Sequence, residues 1–169
     1  MNSKKIFQKC KLIKLVVTDV DGVLTDGGMY YSEKGEVLKK FNTKDGMGVE
    51  LLLKANIKTA LITKENSLIT KKRALKIKAS AVYTGIKNKE EEIQKICKKF
   101  LIKPENIAYI GDDINDINII KLVGFSASPN NAVPQVKQIV DYVCDKEGGD
   151  GVFREVADII LKVKNFSSK

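Results

Sequence analysis

The segment Val16-Val17-Thr18-Asp19-Val20-Asp21-Gly22 constrains this chain more than any other. An apolar run stops on two aspartates one residue apart, with a glycine directly behind them. A buried strand that ends this way delivers carboxylates to the carboxyl edge of a sheet, the edge on which open α/β sheets bind their ligands. Two carboxylates so close together repel unless a cation lies between them or one holds a proton. The segment therefore predicts a metal site, a proton-transfer site, or both.

Apolar blocks of strand type and helix type alternate along the rest of the chain. Strands are expected over 12–17, 58–63, 81–84, 107–110, 124–127 and 142–144. Helices are expected over 45–55, 67–77, 89–100, 115–122, 134–140 and 153–163, with Ser67 placed to cap the second of them. Met29-Tyr30-Tyr31 and Val37 to Phe41 flank the polar stretch Ser32 to Glu36, which contains Gly35 and reads as a hairpin turn. Strand–helix alternation implies right-handed crossovers. The expected fold is α/β, a Rossmann-like doubly wound parallel sheet with a small β-hairpin insertion after strand 1, at about residues 28–42. At 169 residues the chain can bury one core, expected over 12–163, after an N-terminal extension of 1–11 and before a frayed tail of 164–169.

Composition removes several classes of function. There is no histidine, which excludes histidine triads, ligands and general bases. Cys10, Cys97 and Cys144 are odd in number and far apart, as expected of reduced thiols in a cytoplasmic protein. No apolar run approaches the roughly 20 residues of a membrane span, and the basic residues 1–14 lack the apolar stretch of a signal peptide. The net charge is +9, but the excess is nearly all lysine, with Arg73 and Arg154 as the arginines. Arginine is the usual reader of base edges and phosphate forks, so neither nucleic acid nor membrane is expected as a partner. A basic surface can instead steer a small anionic substrate.

Polar residues close four of the expected strands. The first ends on Asp19 and Asp21, the second on Thr63; the third leads to Lys89, and the fourth ends on Asp112-Asp113 with Asp116 one turn further on. Carboxylates suit a hard cation such as Mg²⁺, and a hydroxyl and an ammonium suit phosphoryl oxygens. A free carboxylate can attack phosphorus and form an aspartyl-phosphate. Taken singly, Asp-x-Asp-Gly also reads as a turn, Gly111 to Asp116 as turn residues capping the next helix, Thr63 as an ordinary strand residue and Lys89 as one lysine among many; their shared position at strand ends carries the argument.

At these residues the chain resembles the haloacid dehalogenase superfamily. Asp19-Val20-Asp21-Gly22 fits its first motif, Thr63 its second, Lys89 its third and Gly111-Asp112-Asp113-x-x-Asp116 its fourth. Within it the chain is similar to the capless branch of phosphatases that act on 3-deoxy-2-ulosonic acid phosphates, of eight or nine carbons, in pathways such as lipopolysaccharide sugar synthesis. Leu24-Thr25-Asp26-Gly27-Gly28, Lys40-Phe41-Asn42-Thr43-Lys44-Asp45-Gly46 and Gly148-Gly149-Asp150-Gly151-Val152-Phe153-Arg154-Glu155 carry that likeness.

The resemblance implies Asp19 as nucleophile and Asp21 as general acid and base, with Thr63 and Lys89 on the phosphoryl oxygens. It implies Mg²⁺ on Asp19, on the backbone carbonyl of Asp21 and on Asp112, with Asp113 and Asp116 orienting water or Lys89. Glu65, Arg73 and Lys76 are implied as substrate contacts, within the chain or across a subunit boundary, Gly148 to Gly151 as a mobile flap, and a homotetramer as the assembly. Two positions depart from the octulosonate pattern: Thr63-Lys64-Glu65 replaces Thr-Gly-Arg, and Asp150 replaces an arginine. Glu65 instead fits the nonulosonate pattern, so the substrate stays open between the two. A broad sugar phosphatase, a phosphomutase, a receiver-like module and a non-catalytic tetrameric scaffold are the alternatives.

Overall fold

A computed structural model describes residues 3–164. All but the first residue of the expected tail, 165–169, lies outside them. The core is a six-stranded parallel sheet: β1 (Leu15–Thr18), β4 (Lys58–Ile62), β5 (Ala81–Tyr83), β6 (Ile107–Ile110), β7 (Phe125–Ser128) and β8 (Tyr142–Val143), in the order β5-β4-β1-β6-β7-β8. β1 occupies a central position and is buried along its whole length. Its side chains alternate between two cores, as the two-residue period of a strand requires. Val16 faces one core with α2 (Thr43–Lys54) and α7 (Val152–Val163). Leu15 and Val17 face the other with α4 (Lys89–Phe100) and α5 (Ile117–Leu122).

The sheet runs without a reversal, and the expected hairpin is its one insertion: β2 (Tyr30–Ser32) and β3 (Gly35–Leu38) pair antiparallel as a separate two-stranded sheet. Register does the work of assembling the site. Thr18 lies opposite Leu61 of β4 on one side and Ile110 of β6 on the other, so the three central strands end level with one another. Asp19, Thr63 and Asp112 then follow within one or two residues of those ends.

The helices include α3 (Leu68–Lys76) and a short α6 (Pro134–Lys137) that starts on proline, where a missing N–H costs nothing. Two features differ from the sequence reading. Residues Ser3–Lys11 form a helix, α1, rather than a featureless extension; Cys10 is fully buried and Ile6 packs on the core beside α7. Its few apolar residues among lysines hid that periodicity. Ser67 does sit at the N-cap of α3, but its hydroxyl makes no cap bond and donates instead to Glu36 Oε2 at 2.9 Å. No helix among the described residues is long and apolar enough to cross a membrane.

Candidate active site

The strand ends converge on a cleft of about 170 Å³ lined by Asp19, Asp21, Thr63, Lys64, Glu65, Lys89, Asp112, Asp113 and Asn115. A larger cavity of about 410 Å³ lies between α1 and α7, lined by Ile6, Phe7, Tyr142, Ile159, Lys162 and Val163; it holds no carboxylate.

Lys89 is the hub of the cleft. It opens α4, whose N-terminal dipole disfavours a cation, and yet its side chain is 3% exposed. Its Nζ lies 2.7 Å from Asp19 Oδ2 and 2.8 Å from Asp116 Oδ1. Burial pulls the Lys89 pKa down, but the charges of Asp19 and Asp116 outweigh it and hold the ammonium above its ordinary value. Asp116 is fully engaged: Oδ1 also accepts from Tyr109 Oη at 2.6 Å, and Oδ2 accepts from the backbone N–H groups of Asp112 and Asp113 at 3.0 and 3.4 Å.

Asp19, Asp112 and Asp116 bring carboxylate oxygens within 4.8 Å of one another. Burial first, then repulsion from Asp116, pushes Asp19 up to about 8 and Asp112 up to about 7, against the pull of Lys89. Asp112 Oδ1 is buried with no hydrogen-bond partner. A buried carboxylate oxygen left bare beside a second carboxylate fits a divalent cation, whose charge and oxygen preference meet both demands. Asp116 spends its oxygens on four donors, so Asp19 and Asp112 are the carboxylates that remain for a metal. Gly22 makes this approach possible. Its φ is +84°, and a Cβ there would lie 2.0 Å from Asp112 Oδ2.

Asp21 turns its side chain away from the cluster. Its Oδ2 accepts from Thr63 Oγ1 at 3.1 Å and its Oδ1 accepts from Lys39 Nζ. Thr63 Oγ1 in turn accepts from the Glu65 N–H at 3.1 Å. The side chain of Asp21 is therefore not among the metal-facing carboxylates, and the expected contribution of this residue to a metal is through its backbone carbonyl.

The structure places three further groups of expected residues outside the cluster of Asp19, Asp112 and Asp116. Asp113 lines the cleft, but its carboxylate caps the Ile114 N–H at 2.7 Å and does not reach Lys89; Asp116 does that alone of the two. Arg73 and Lys76 share a face of α3, as their spacing predicts, but that face lines a separate cavity with Thr43, Gly46 and Glu50. Arg73 donates to the Asn42 carbonyl at 2.7 Å and lies over the Phe41 ring, within the field of Asp45 and outside the cleft that holds Asp19 and Asp112. Finally, Gly148 to Gly151 is packed down rather than free. Gly148 and Gly149 are buried, the Gly149 N–H donates to Val23 O, and a Cβ on Gly148 would lie 2.0 Å from Gly22 O.

Sequence reasoning missed Lys39, Glu36 and Tyr109. Tyr109 reads as core because it sits inside an apolar strand, and Lys39 reads as a solvated charge because Lys40 follows it.

Comparison with known proteins agrees with this geometry. Residues 53–156 match the haloacid dehalogenase-like hydrolase family. The 3-deoxy-D-manno-octulosonate 8-phosphate phosphatase of Haemophilus influenzae is 38% identical over 161 residues, covering 95% of this chain and 89% of that protein. The chain belongs to the haloacid dehalogenase-like hydrolase family. This hydrolase also superposes on the crystal structure of the Moraxella catarrhalis octulosonate phosphatase in complex with magnesium, phosphate and its sugar acid. The TM-score is 0.93 at 37% identity, over 98% of this chain and 95% of that one. A cobalt-bound form of the Haemophilus influenzae enzyme matches with a TM-score of 0.91 at 37% identity, over 94% and 92% of the two chains. The haloacid dehalogenase-like hydrolase described here is a phosphoric monoester hydrolase, with carboxylates arranged for a divalent metal.

Proposed function

We propose that this enzyme is a magnesium-dependent phosphatase of a 3-deoxy-2-ulosonic acid phosphate, acting through an aspartyl-phosphate. The observation that carries the reading is the placement of Asp19: its carboxylate lies between the Lys89 ammonium, 2.7 Å away, and Asp112 with its bare buried oxygen. A nucleophile flanked by a fixed cation and a metal ligand is arranged to attack phosphorus. The octulosonate 8-phosphate named for the relatives is the first substrate to test; Glu65 at the cleft wall favours a nine-carbon acid as the second.

In this reading Asp19 attacks phosphorus in line, and Thr63 and Lys89 hold the equatorial oxygens. The carboxylates of Asp19 and Asp112 and the backbone carbonyl of Asp21 would hold magnesium, which would supply the positive charge that lets two anions meet. Asp21 carries a proton to the leaving alkoxide and then takes one from the water that cleaves the acyl-phosphate. Asp116 holds Lys89 on target, its own carboxylate fixed by Tyr109 Oη. Glu65 and Lys64 contact the sugar acid at the cleft wall. Arg73 and Lys76 take part by reaching a neighbouring subunit. The assembly is a homotetramer joined through the hairpin, whose Met29, Tyr30, Tyr31, Val37 and Leu38 are all exposed. The working location is the cytoplasm, consistent with three free buried thiols.

The test is phosphate release from octulosonate 8-phosphate, a nonulosonate 9-phosphate and common sugar phosphates, with Mg²⁺ and then with EDTA. A strong, EDTA-sensitive preference for one ulosonate is expected. Flat activity over all sugars would instead support a broad sugar phosphatase, and no release at all would sink the catalytic reading. Asp19→Asn is expected to abolish release while the circular-dichroism spectrum is unchanged.

A further inference from the structure

Lys39 is the buried cation that this mechanism leaves without a task. It follows β3, at the base of the hairpin, and its side chain is 1% exposed although both neighbours, Leu38 and Lys40, face solvent. Lysine is almost never buried this far without partners. Here the partners are two carboxylates: Nζ hydrogen-bonds to Asp21 Oδ1 and lies 3.0 Å from Glu36 Oε1. The other Glu36 oxygen, Oε2, accepts from Ser67 Oγ at 2.9 Å. A relay of polar groups thus runs from α3 through the hairpin to the loop after β1.

The relay ends on the residue that needs a fixed orientation. A proton donor must lie within hydrogen-bond reach of the leaving oxygen, and a loop carboxylate left free would sample several rotamers. Asp21 has two anchors, Thr63 on Oδ2 and Lys39 on Oδ1. Thr63 lines the cleft, and in the proposed mechanism its hydroxyl turns from Asp21 to a phosphoryl oxygen. Lys39 does not line the cleft, so its bond to Oδ1 persists through the reaction.

We propose that Lys39 is a positioning residue of this phosphatase: anchored on Glu36 and through it on Ser67, it fixes Oδ1 of Asp21 and so makes Oδ2 the oxygen that carries the proton. The inference rests on the reading of Asp21 as the proton carrier. It also explains why the hairpin is tied to the catalytic edge by a partly buried ion pair instead of by apolar packing. Its strand side chains, from Tyr30 to Ser32 and at Val37 and Leu38, are exposed.

A leaving-group comparison tests it. A sugar alkoxide needs a proton to depart, whereas a p-nitrophenolate departs without one. The value of kcat/KM reports the steps up to phosphoenzyme formation, so the ratio of kcat/KM on the ulosonate phosphate to that on p-nitrophenyl phosphate isolates proton delivery. Lys39→Met is expected to lower this ratio about tenfold or more, a fraction of the 10²–10⁴ assigned to general acid catalysis. Lys39→Arg should restore part of it, and Asp21→Asn should lower it further. Glu36→Gln, which keeps the packing, should shift the ratio in the same direction by less and serves if Lys39→Met does not fold. Equal losses on both substrates, or no loss, in Lys39→Met while Asp21→Asn lowers the ratio would overturn the role of Lys39. An unchanged ratio in Asp21→Asn would overturn the reading of Asp21 beneath it.

Discussion

Single residues in this enzyme are chosen by how close the backbone must come to charge. Gly22 is the clearest case, because a Cβ there would occupy the space of the Asp112 carboxylate and its φ of +84° strains any other residue. Gly22→Ala is therefore expected to weaken half-saturation by Mg²⁺ about 10- to 100-fold, the usual scale for displacing the support of a metal ligand. A magnesium titration of phosphate release measures it. Lys64 is a second case. It lines the cleft beside Thr63, is exposed and, among the described residues, makes no ion pair, in contrast to Lys89. Lys64→Ala should raise KM for an anionic sugar about tenfold and leave kcat nearly unchanged, the pattern of a lost binding contact. The sequence makes Asp19, Asp21 and Asp112 legible because each lies within three residues of the end of an apolar strand. It does not distinguish Asp113 from Asp116, since which of two neighbouring carboxylates turns inward depends on the path of the short turn Ile114–Asp116.

Among the elements, α2 and α7 show how helix ends are satisfied across the fold. The N-cap of α7 is Gly151, which has no side chain to offer. Asp45 of α2 replaces it: its Oδ1 accepts from the Arg154 N–H at 3.0 Å. Burial pushes the Asp45 carboxyl up to about 6, against the pull of the α7 amides and of Arg73. Gly48, one turn along α2, allows the close packing, since a Cβ there would lie 3.2 Å from the Arg154 Cα. Asp45→Ala removes the cap, at a typical cost of about 1 kcal/mol, and should lower Tm by about 2–4 °C in a thermal melt. The existence of α2 and α7 follows from their apolar spacing. That one caps the other does not, because a contact across 109 residues of chain leaves no local trace.

For the whole molecule, the cleft is a reservoir of unfavourable charge that a metal relieves. Asp19 and Asp112 have pKa values raised to about 8 and about 7, above the roughly 3.9 of an unfolded aspartate. Between those values the folded metal-free chain binds more protons than the unfolded one, so its stability falls as pH rises from about 4 to about 8. Metal-free protein should accordingly melt at a lower temperature at pH 8 than at pH 5.5. Added Mg²⁺ should raise Tm more at pH 8, where protons no longer compete for the carboxylates. Differential scanning at the two pH values, with and without EDTA, reads both effects. At the same scale, the hairpin exposes Tyr31 at 63% and Leu38 at 62%, which suits burial against other copies of the chain. On the proposed tetramer, the double variant Tyr31→Glu, Leu38→Glu should lower the mass measured by light scattering to that of a smaller species.

The division between sequence and tertiary structure follows from the range of the forces involved. Strand and helix order, the hairpin insertion and the carboxylates at the strand ends were determined locally. Apolar period and chain punctuation act over a few residues, and parallel register then levels the ends of β1, β4 and β6. What tertiary structure alone decided is the partner of each polar group. Lys39 turns inward to Asp21 while Lys40 faces solvent, and Arg73 turns to the Asn42 carbonyl instead of the cleft. α1 is held by burial of Cys10 and the packing of Ile6 on the core. Each of these choices depends on which desolvated charge or apolar surface lies opposite, and that is set only when distant segments meet.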